Sequence, residues 1–92
     1  MSDEIEITET AVGSLAGQRV GVGNVMESDY TDGTGAQRQG TTAQLFLLGR
    51  SERVIVGAGS VFAAGGLDWE VVRVDKREGE HGSVTLRPAA AS

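Results

Sequence analysis

Glycine most limits what this chain can fold into, because it accounts for 14 of the 92 residues. Each glycine inside a helix costs roughly 1 kcal/mol relative to alanine. No window of the sequence sustains the i, i+3, i+4, i+7 spacing of apolar residues that an amphipathic helix needs. The glycines instead separate short apolar segments, a pattern typical of turns between β-strands.

Strand-like segments recur along the whole chain. The clearest are IEI near the start, then QRVGVGNVM, TAQLFLL, RVIV, LDWEVVRVD and GSVTLR. Their regular spacing predicts an all-β domain, either a small barrel or a two-sheet sandwich, of six or seven short antiparallel strands. TAQLFLL is a continuous apolar run, which is typical of a strand covered on both faces.

Strict alternation predicts which side chains of QRVGVGNVM face the core. A period of two places Val20, Val22 and Met26 on one face and Val25 on the other. We therefore expect Met26 to share a face of the strand with the two valines.

The segment from Leu67 to Asp75 gives the strongest strand signal and contains the only Trp. Alternation breaks between Val71 and Val72, so a β-bulge is expected there. We expect Trp69 to be the central core residue, with its indole N–H donating to a carbonyl group. The Gly65-Gly66 pair before this strand predicts a tight hairpin turn with positive φ.

The chain reads as one β-domain, residues 1–88, followed by a disordered tail, residues 89–92, after the proline that ends the last strand. Residues 27–42 are sixteen mostly polar residues with a single aromatic. They predict a long polar loop, and loops of that length are usually functional or disordered.

Charge and composition exclude several classes of function. The acidity is concentrated in the first twelve residues, whereas residues 13–92 hold nine acidic and eight basic residues, so no basic surface for nucleic acid is expected. No apolar run is long enough to span a membrane. The chain has no cysteine and no signal peptide at its start, which favours a cytoplasmic location.

Neither cofactor, metal nor catalytic residues are predicted. The glycine runs GVGNV, GAGS and DGTGAQ lack the lysine of a P-loop and the following helix of a dinucleotide site. The segment ESDYTDGTG does not match a calcium loop, although an irregular site through Asp29 and Asp32 stays open. The carboxylate pairs Glu4/Glu6 and Asp68/Glu70 are interpreted as outward faces of half-buried strands, and His81 as an exposed turn residue.

Three residues of the 27–42 segment are predicted to bind a partner: Tyr30, Asp32 and Arg38. Tyrosine and arginine commonly anchor protein interfaces, and this segment is the only obvious insertion in the chain. The alternative is that these side chains lie in solvent without a partner. The acidic first strand is a second candidate surface, because an edge strand can pair with a partner strand or carry acids that keep it soluble.

Residues 52–88 resemble two groups of proteins. The residues that carry the resemblance are mostly packing and turn residues: Gly59, Phe62, Gly66, Trp69, Val71, Val74 and Val84 to Arg87. The pattern is similar to an uncharacterised family of small actinobacterial β-domains and to the β-core of bacteriophage head–tail joining proteins. The second resemblance implies an assembly role without catalysis, and neither carries over catalytic or metal-binding residues.

The sequence therefore predicts a non-catalytic module for protein–protein interaction or assembly, with a protein partner or further copies of itself. The alternative is a β-barrel that binds a small molecule, in an apolar cavity near Trp69 and Phe62. A third hypothesis is a small barrel enzyme of a biosynthetic pathway, but the sequence offers few side chains that could act in catalysis.

Overall fold

The computed structural model describes residues 4–76 and 81–89. It confirms the all-β prediction, with eight strands instead of six or seven and no helix among these residues. The strands are β1 (Ile5–Thr8), β2 (Val12–Leu15), β3 (Gln18–Thr31), β4 (Gln37–Leu47), β5 (Glu52–Gly57), β6 (Val61–Ala64), β7 (Leu67–Asp75) and β8 (Ser83–Pro88).

The strands form two four-stranded antiparallel sheets. Sheet I has the order β1-β8-β7-β6, and sheet II has the order β2-β3-β4-β5. Hydrogen bonds continue where the chain crosses between the sheets: Thr10 donates its amide to the Val22 carbonyl (2.7 Å), and Val71 donates to the Ser60 carbonyl (2.8 Å). The crossings thus join the sheets into a curled sandwich, or half-barrel.

Trp69 lies in the core, as predicted. Its side chain is buried, and its indole Nε1 donates a hydrogen bond to the Ala64 carbonyl at 3.0 Å. Around it pack aliphatic side chains from both sheets, among them Leu15, Val20, Leu45, Val71, Val84 and Leu86. The indole supplies bulk that a chain with only four aromatic residues has few other means to provide.

The predicted turn before this strand is also confirmed. Gly65 and Gly66 both have positive φ, +63° and +81°. A Cβ atom on Gly65 would lie 2.5 Å from the carbonyl oxygens of Leu15 and Ala16. The β6–β7 turn therefore packs directly on the β2–β3 turn, which closes one side of the half-barrel.

Two strands contain β-bulges, and only one was predicted. The register of β7 shifts between Val71 and Arg73, which confirms the expected bulge. The register of β3 shifts between Gly23 and Met26, and this second bulge reverses the faces of the residues that follow. Val25 is therefore buried and Met26 exposed, so the prediction for Met26 was wrong.

Residues 27–42 form the end of the β3–β4 hairpin, so the prediction of a long polar loop was wrong. Strand pairing runs from Glu27 opposite Thr41 to Thr31 opposite Gln37, which leaves only residues 32–36 for the turn. β5 pairs with β4 from residue 42 onward, so this hairpin end extends beyond the four-stranded part of sheet II. Polar side chains hid the strands because the hairpin end exposes most of its surface.

Of the predicted disordered tail, residues 89–92, only Ala89 lies within the described residues. The Ala89 amide donates a hydrogen bond to the Asp68 carbonyl at 2.9 Å. The rest of the predicted tail, residues 90–92, lies outside the described residues, as do residues 1–3 and 77–80.

Candidate protein-interaction surfaces

The turn of the hairpin end is organised by the Asp32 carboxylate. Oδ1 accepts hydrogen bonds from the Thr34 amide (2.8 Å), the Thr34 hydroxyl (2.6 Å) and the Ala36 amide (3.1 Å). Oδ2 accepts a hydrogen bond from Arg38 Nε at 2.5 Å. Aspartate suits this position because its short side chain can reach the amides that follow it.

These partners shift the ionisation of both charged groups. The Thr34 hydroxyl, followed by the Arg38 guanidinium and the Thr34 amide, holds the pKa of Asp32 well below its usual range. The hydrogen bond to Asp32 holds the pKa of Arg38 above its usual value. Both charges therefore stabilise the closed turn.

Tyr30 fixes the hairpin end to the rest of the fold. Its ring lies against the backbone of Gly57, where a Cβ atom would come within 2.5 Å of the ring carbons. Its hydroxyl donates a hydrogen bond to the Ala58 carbonyl at 2.9 Å. Only a residue without a side chain at position 57 leaves room for this ring.

Backbone contacts complete the attachment to the segment between β5 and β6. The Gly33 amide donates to the Gly59 carbonyl at 2.8 Å. The Ser60 hydroxyl donates to the Thr31 carbonyl at 2.9 Å and accepts from the Gly57 amide at 3.1 Å. The hairpin end is thus held at its base and turn, although few apolar side chains contribute.

The structure brings together the three predicted partner-binding residues, but it exposes only one of them. Tyr30 and Asp32 are buried and make internal contacts, and the Asp32 side chain is 5% exposed. The Arg38 side chain is 59% exposed, with Nε bound to Asp32. Partner binding at this site stays a prediction, and Arg38 is the residue that a partner would reach first.

A second surface was not predicted from the sequence: the outer face of sheet II. Val12, Phe46 and Ile55 point outward from three strands, and Val12 (48%) and Ile55 (53%) are strongly exposed. We call this surface, together with the outward-facing Arg19 and Arg53, the Phe46 face. The prediction that TAQLFLL is covered on both faces was wrong, because Leu45 and Leu47 are buried while the opposite side of β4 is open.

Two glycines leave space for the aromatic ring at the centre of the Phe46 face. Gly21 and Phe46 are cross-strand partners, and a Cβ atom on Gly23 would lie 3.1 Å from the Phe46 ring. The ring lies flat on β3 as a result. Beside it, an open groove of about 480 Å³ is lined by Phe46, Leu48 and Arg53, among others.

The charge of the Phe46 face is entirely positive. Arg19 and Arg53 are exposed, and neither forms an ion pair within the described residues. The outward positions of β2, of β5 and of the parts of β3 and β4 that pair with them carry no aspartate or glutamate. The surface therefore combines apolar side chains with uncompensated guanidinium groups.

The outer face of sheet I has the opposite character. Two arginines on it are neutralised by neighbouring acids, in the pairs Arg87–Glu70 (2.8 Å) and Arg73–Asp75 (3.1 Å). Asp68 on β7 is exposed and forms no ion pair in the part of the chain that the structure describes. The predicted carboxylate pair Asp68/Glu70 thus lies on an outward, mainly acidic surface.

The β1 end of the same surface contains the predicted pair Glu4/Glu6 and the single histidine. Glu4, Glu6 and His81 are all exposed. A polar groove of about 470 Å³ is lined there by Glu6, Arg73 and His81, among others.

Other kinds of site are not apparent in residues 4–76 and 81–89. No three His, Cys, Asp or Glu side chains cluster closely enough there to share a metal ion. Both Asp32 oxygens are occupied by internal hydrogen bonds, which leaves little for the irregular site with Asp29. No described helix is long and apolar enough to cross a membrane.

The fold and its surfaces define a small all-β domain with one open apolar, basic face and one acidic face. Comparison of the chain with protein-family models, with curated proteins and with solved structures finds no match.

Proposed function

We propose that this protein is a non-catalytic module for protein–protein interaction or assembly, and that the Phe46 face is its main contact surface. The observation that carries this proposal is an aromatic ring on one sheet, flanked by exposed aliphatic side chains and by arginines that form no ion pair with the other described residues. Aromatic residues and arginine are enriched at protein interfaces and dominate their binding energy.

The exposure of this apolar surface supports the proposal. A single exposed aliphatic residue is ordinary, but a contiguous apolar patch on a small domain usually marks a binding site. Phe46 and Ile55 lie on adjacent strands, and Val12 is separated from Phe46 only by Gly21 of β3, which has no side chain, so the three side chains form one patch. An assembly role also agrees with what the resemblance to head–tail joining proteins implies.

The alternative of a small-molecule barrel has less support. It required an apolar cavity near Trp69 and Phe62, and both side chains are buried in the packed core. The four grooves around the described residues open on the surface, and neither Trp69 nor Phe62 lines any of them.

Affinity capture with surface variants tests the proposal. Phe46→Thr combined with Ile55→Thr removes two of the three apolar side chains of the Phe46 face, and threonine is well suited to a β-strand. Leu67→Thr is the matched control, because Leu67 is a similarly exposed apolar residue on β7 of the other sheet. Each protein is immobilised and exposed to lysate of the source cells.

The double variant should capture at least about tenfold less partner than the wild type, the loss typical of interface anchor residues. Leu67→Thr should capture as much as the wild type, and both variants should retain the wild-type circular dichroism spectrum. Equal capture by the double variant and the wild type would refute the proposal.

A further inference from the structure

We infer that the Phe46 face binds an acidic strip on a second copy of this chain, so that copies associate head to tail through two different surfaces. The inference rests on the proposed function and names its partner.

The Phe46 face restricts the chemistry of whatever covers it. Arg19 and Arg53 have no ion-pair partner within the described residues, and an interface would remove them from water. Burying a charge without a compensating charge is strongly unfavourable. The partner surface must therefore bring carboxylates as well as apolar side chains.

This chain carries such a surface on sheet I, along β6 and β7. Val61 and Ala63 point outward from β6, and their cross-strand partners on β7 are Glu70 and Asp68. We call these four residues the Val61 strip. Val61 is an exposed large apolar residue, and the Asp68 carboxylate is exposed without an ion pair among the described residues.

The two surfaces match in arrangement as well as in charge. On the Phe46 face, apolar Phe46 stands directly opposite Arg53 on the neighbouring strand. On the Val61 strip, apolar Ala63 stands directly opposite Asp68. Val61 stands opposite Glu70, which also contacts Arg87. Cross-strand partners are about 5 Å apart in any antiparallel sheet, so an apolar residue and a charge have the same spacing on both surfaces.

Symmetric pairing of like surfaces is disfavoured by charge. Two Phe46 faces in contact would bring together four guanidinium groups with no carboxylate among the outward strand positions described above. Two Val61 strips would bring together the Asp68 carboxylates of both copies, which form no ion pair among the described residues, whereas each Glu70 is already paired with Arg87. Contact between unlike surfaces pairs opposite charges, and it leaves each copy with one free surface to bind a further copy.

Three proteins test this inference by sedimentation equilibrium. The wild type is compared with two variants. Phe46→Thr/Ile55→Thr removes apolar contacts from the Phe46 face, and Asp68→Arg reverses a charge on the Val61 strip. Asp68 is suitable because its side chain is exposed and makes no hydrogen bond with the other described residues. The range from about 10 μM to about 1 mM covers weak to moderate association.

The mean mass of the wild type should rise with concentration above that of the 9.6 kDa chain. Each variant by itself should associate at least about tenfold more weakly. An equimolar mixture of the two variants should form mixed dimers and nothing larger. The intact Phe46 face of Asp68→Arg can bind the intact Val61 strip of Phe46→Thr/Ile55→Thr, and no second pair of intact surfaces remains. Leu67→Thr should behave as the wild type.

Three results would overturn the inference. One is a wild type that stays monomeric while capture from lysate still depends on the Phe46 face; the proposed function would then stand with a different partner. Another is a variant mixture that stays monomeric while the wild type associates. The last is a wild type that neither associates nor captures a partner through the Phe46 face, which would refute the proposed function as well.

Discussion

The half-barrel body and the hairpin end are held by different interactions. In the body, apolar side chains from both sheets pack around Trp69, and no residue of this core is more than 9% exposed. In the hairpin end, one ring, one carboxylate and a few backbone hydrogen bonds attach residues 27–42 to the segment between β5 and β6. The body therefore depends on buried area, whereas the hairpin end depends on a small number of individual contacts.

This difference explains why residues of a kind that often bind partners are used internally here. Tyr30 and Asp32 stand where few apolar residues are available to fix a projecting hairpin, so their polar groups provide the attachment. A carboxylate that accepts several hydrogen bonds can hold a turn closed without a hydrophobic core. Residue type by itself does not distinguish this use from partner binding.

The largest expected effect is in the body. Trp69→Ala should lower the free energy of unfolding by about 3–5 kcal/mol, since it leaves a large cavity in the core. Trp69→Phe should cost clearly less, because it retains a ring and loses mainly the hydrogen bond to Ala64. Urea unfolding followed by circular dichroism measures both. If Trp69→Ala cost no more than the hairpin variants below, the contrast between the two regions would be wrong.

The next effect separates contact in the hairpin end from backbone preference. Gly57→Ala should cost about 1–3 kcal/mol, because the new methyl group collides with the Tyr30 ring. Gly40→Ala is the matched control: its methyl group would lie 3.8 Å from the same ring, an ordinary contact. The same urea experiment compares the two strand glycines, and equal losses would show that the packing of Tyr30 on Gly57 is unimportant.

A smaller effect is expected at the hydroxyl of Tyr30. Tyr30→Phe should cost about 0.5–1.5 kcal/mol, the usual net value of one hydrogen bond, here to the Ala58 carbonyl. In the Gly57→Ala background the same change should cost less, because the ring is already displaced. Strict additivity in this double-mutant cycle would indicate that ring packing and hydrogen bonding act independently.

The smallest effect is a pH dependence of the stability contributed by Asp32, which is expected only under acidic conditions. Because the pKa of Asp32 is depressed in the folded state, its ionised form contributes stability above the unfolded value of about 3.9. That contribution is lost as the pH falls below about 4 toward the folded pKa. The stability difference between the wild type and Asp32→Asn should therefore shrink as the pH is lowered from 6 to about 2.

Glu9 in the body also makes the folded state less stable in acid. The role of Asp32 must therefore be measured as the difference in stability between the wild type and Asp32→Asn. The Gly82 and Val25 amides, with Lys76 nearby, hold the pKa of Glu9 below its usual value. This contribution is common to the wild type and Asp32→Asn and cancels between them. Asp29→Asn, which removes an exposed carboxylate from the same hairpin end, is the control. If the difference in unfolding free energy between the wild type and Asp32→Asn stayed constant with pH, the assigned role of Asp32 would be contradicted.

Features that depend on neighbours in sequence were predicted from the residues. The position of Trp69, the bulge after Val71 and the Gly65-Gly66 turn each follow from a local pattern or a local backbone requirement. The second bulge also left a local signal that was missed. Asn24, next to Gly23, has φ of +50°, a conformation that asparagine tolerates better than most residues.

The candidate surfaces could not be predicted in the same way. Phe46 is only half-buried because no element covers the outer side of sheet II, and the TAQLFLL pattern does not indicate which side of the strand remains open. The hairpin end was mistaken for a loop because each of its two polar strands pairs only with the other and has few apolar side chains.

Sequence determined the fold class, because turn glycines and the two-residue period of strands act over a few neighbouring positions. Tertiary structure decided which surfaces are available for binding. Burial depends on what packs against a side chain, and here the residues that meet are far apart in the chain, as Tyr30 and Gly57 are. The same tyrosine, with a different neighbour at position 57, would be free to contact a partner.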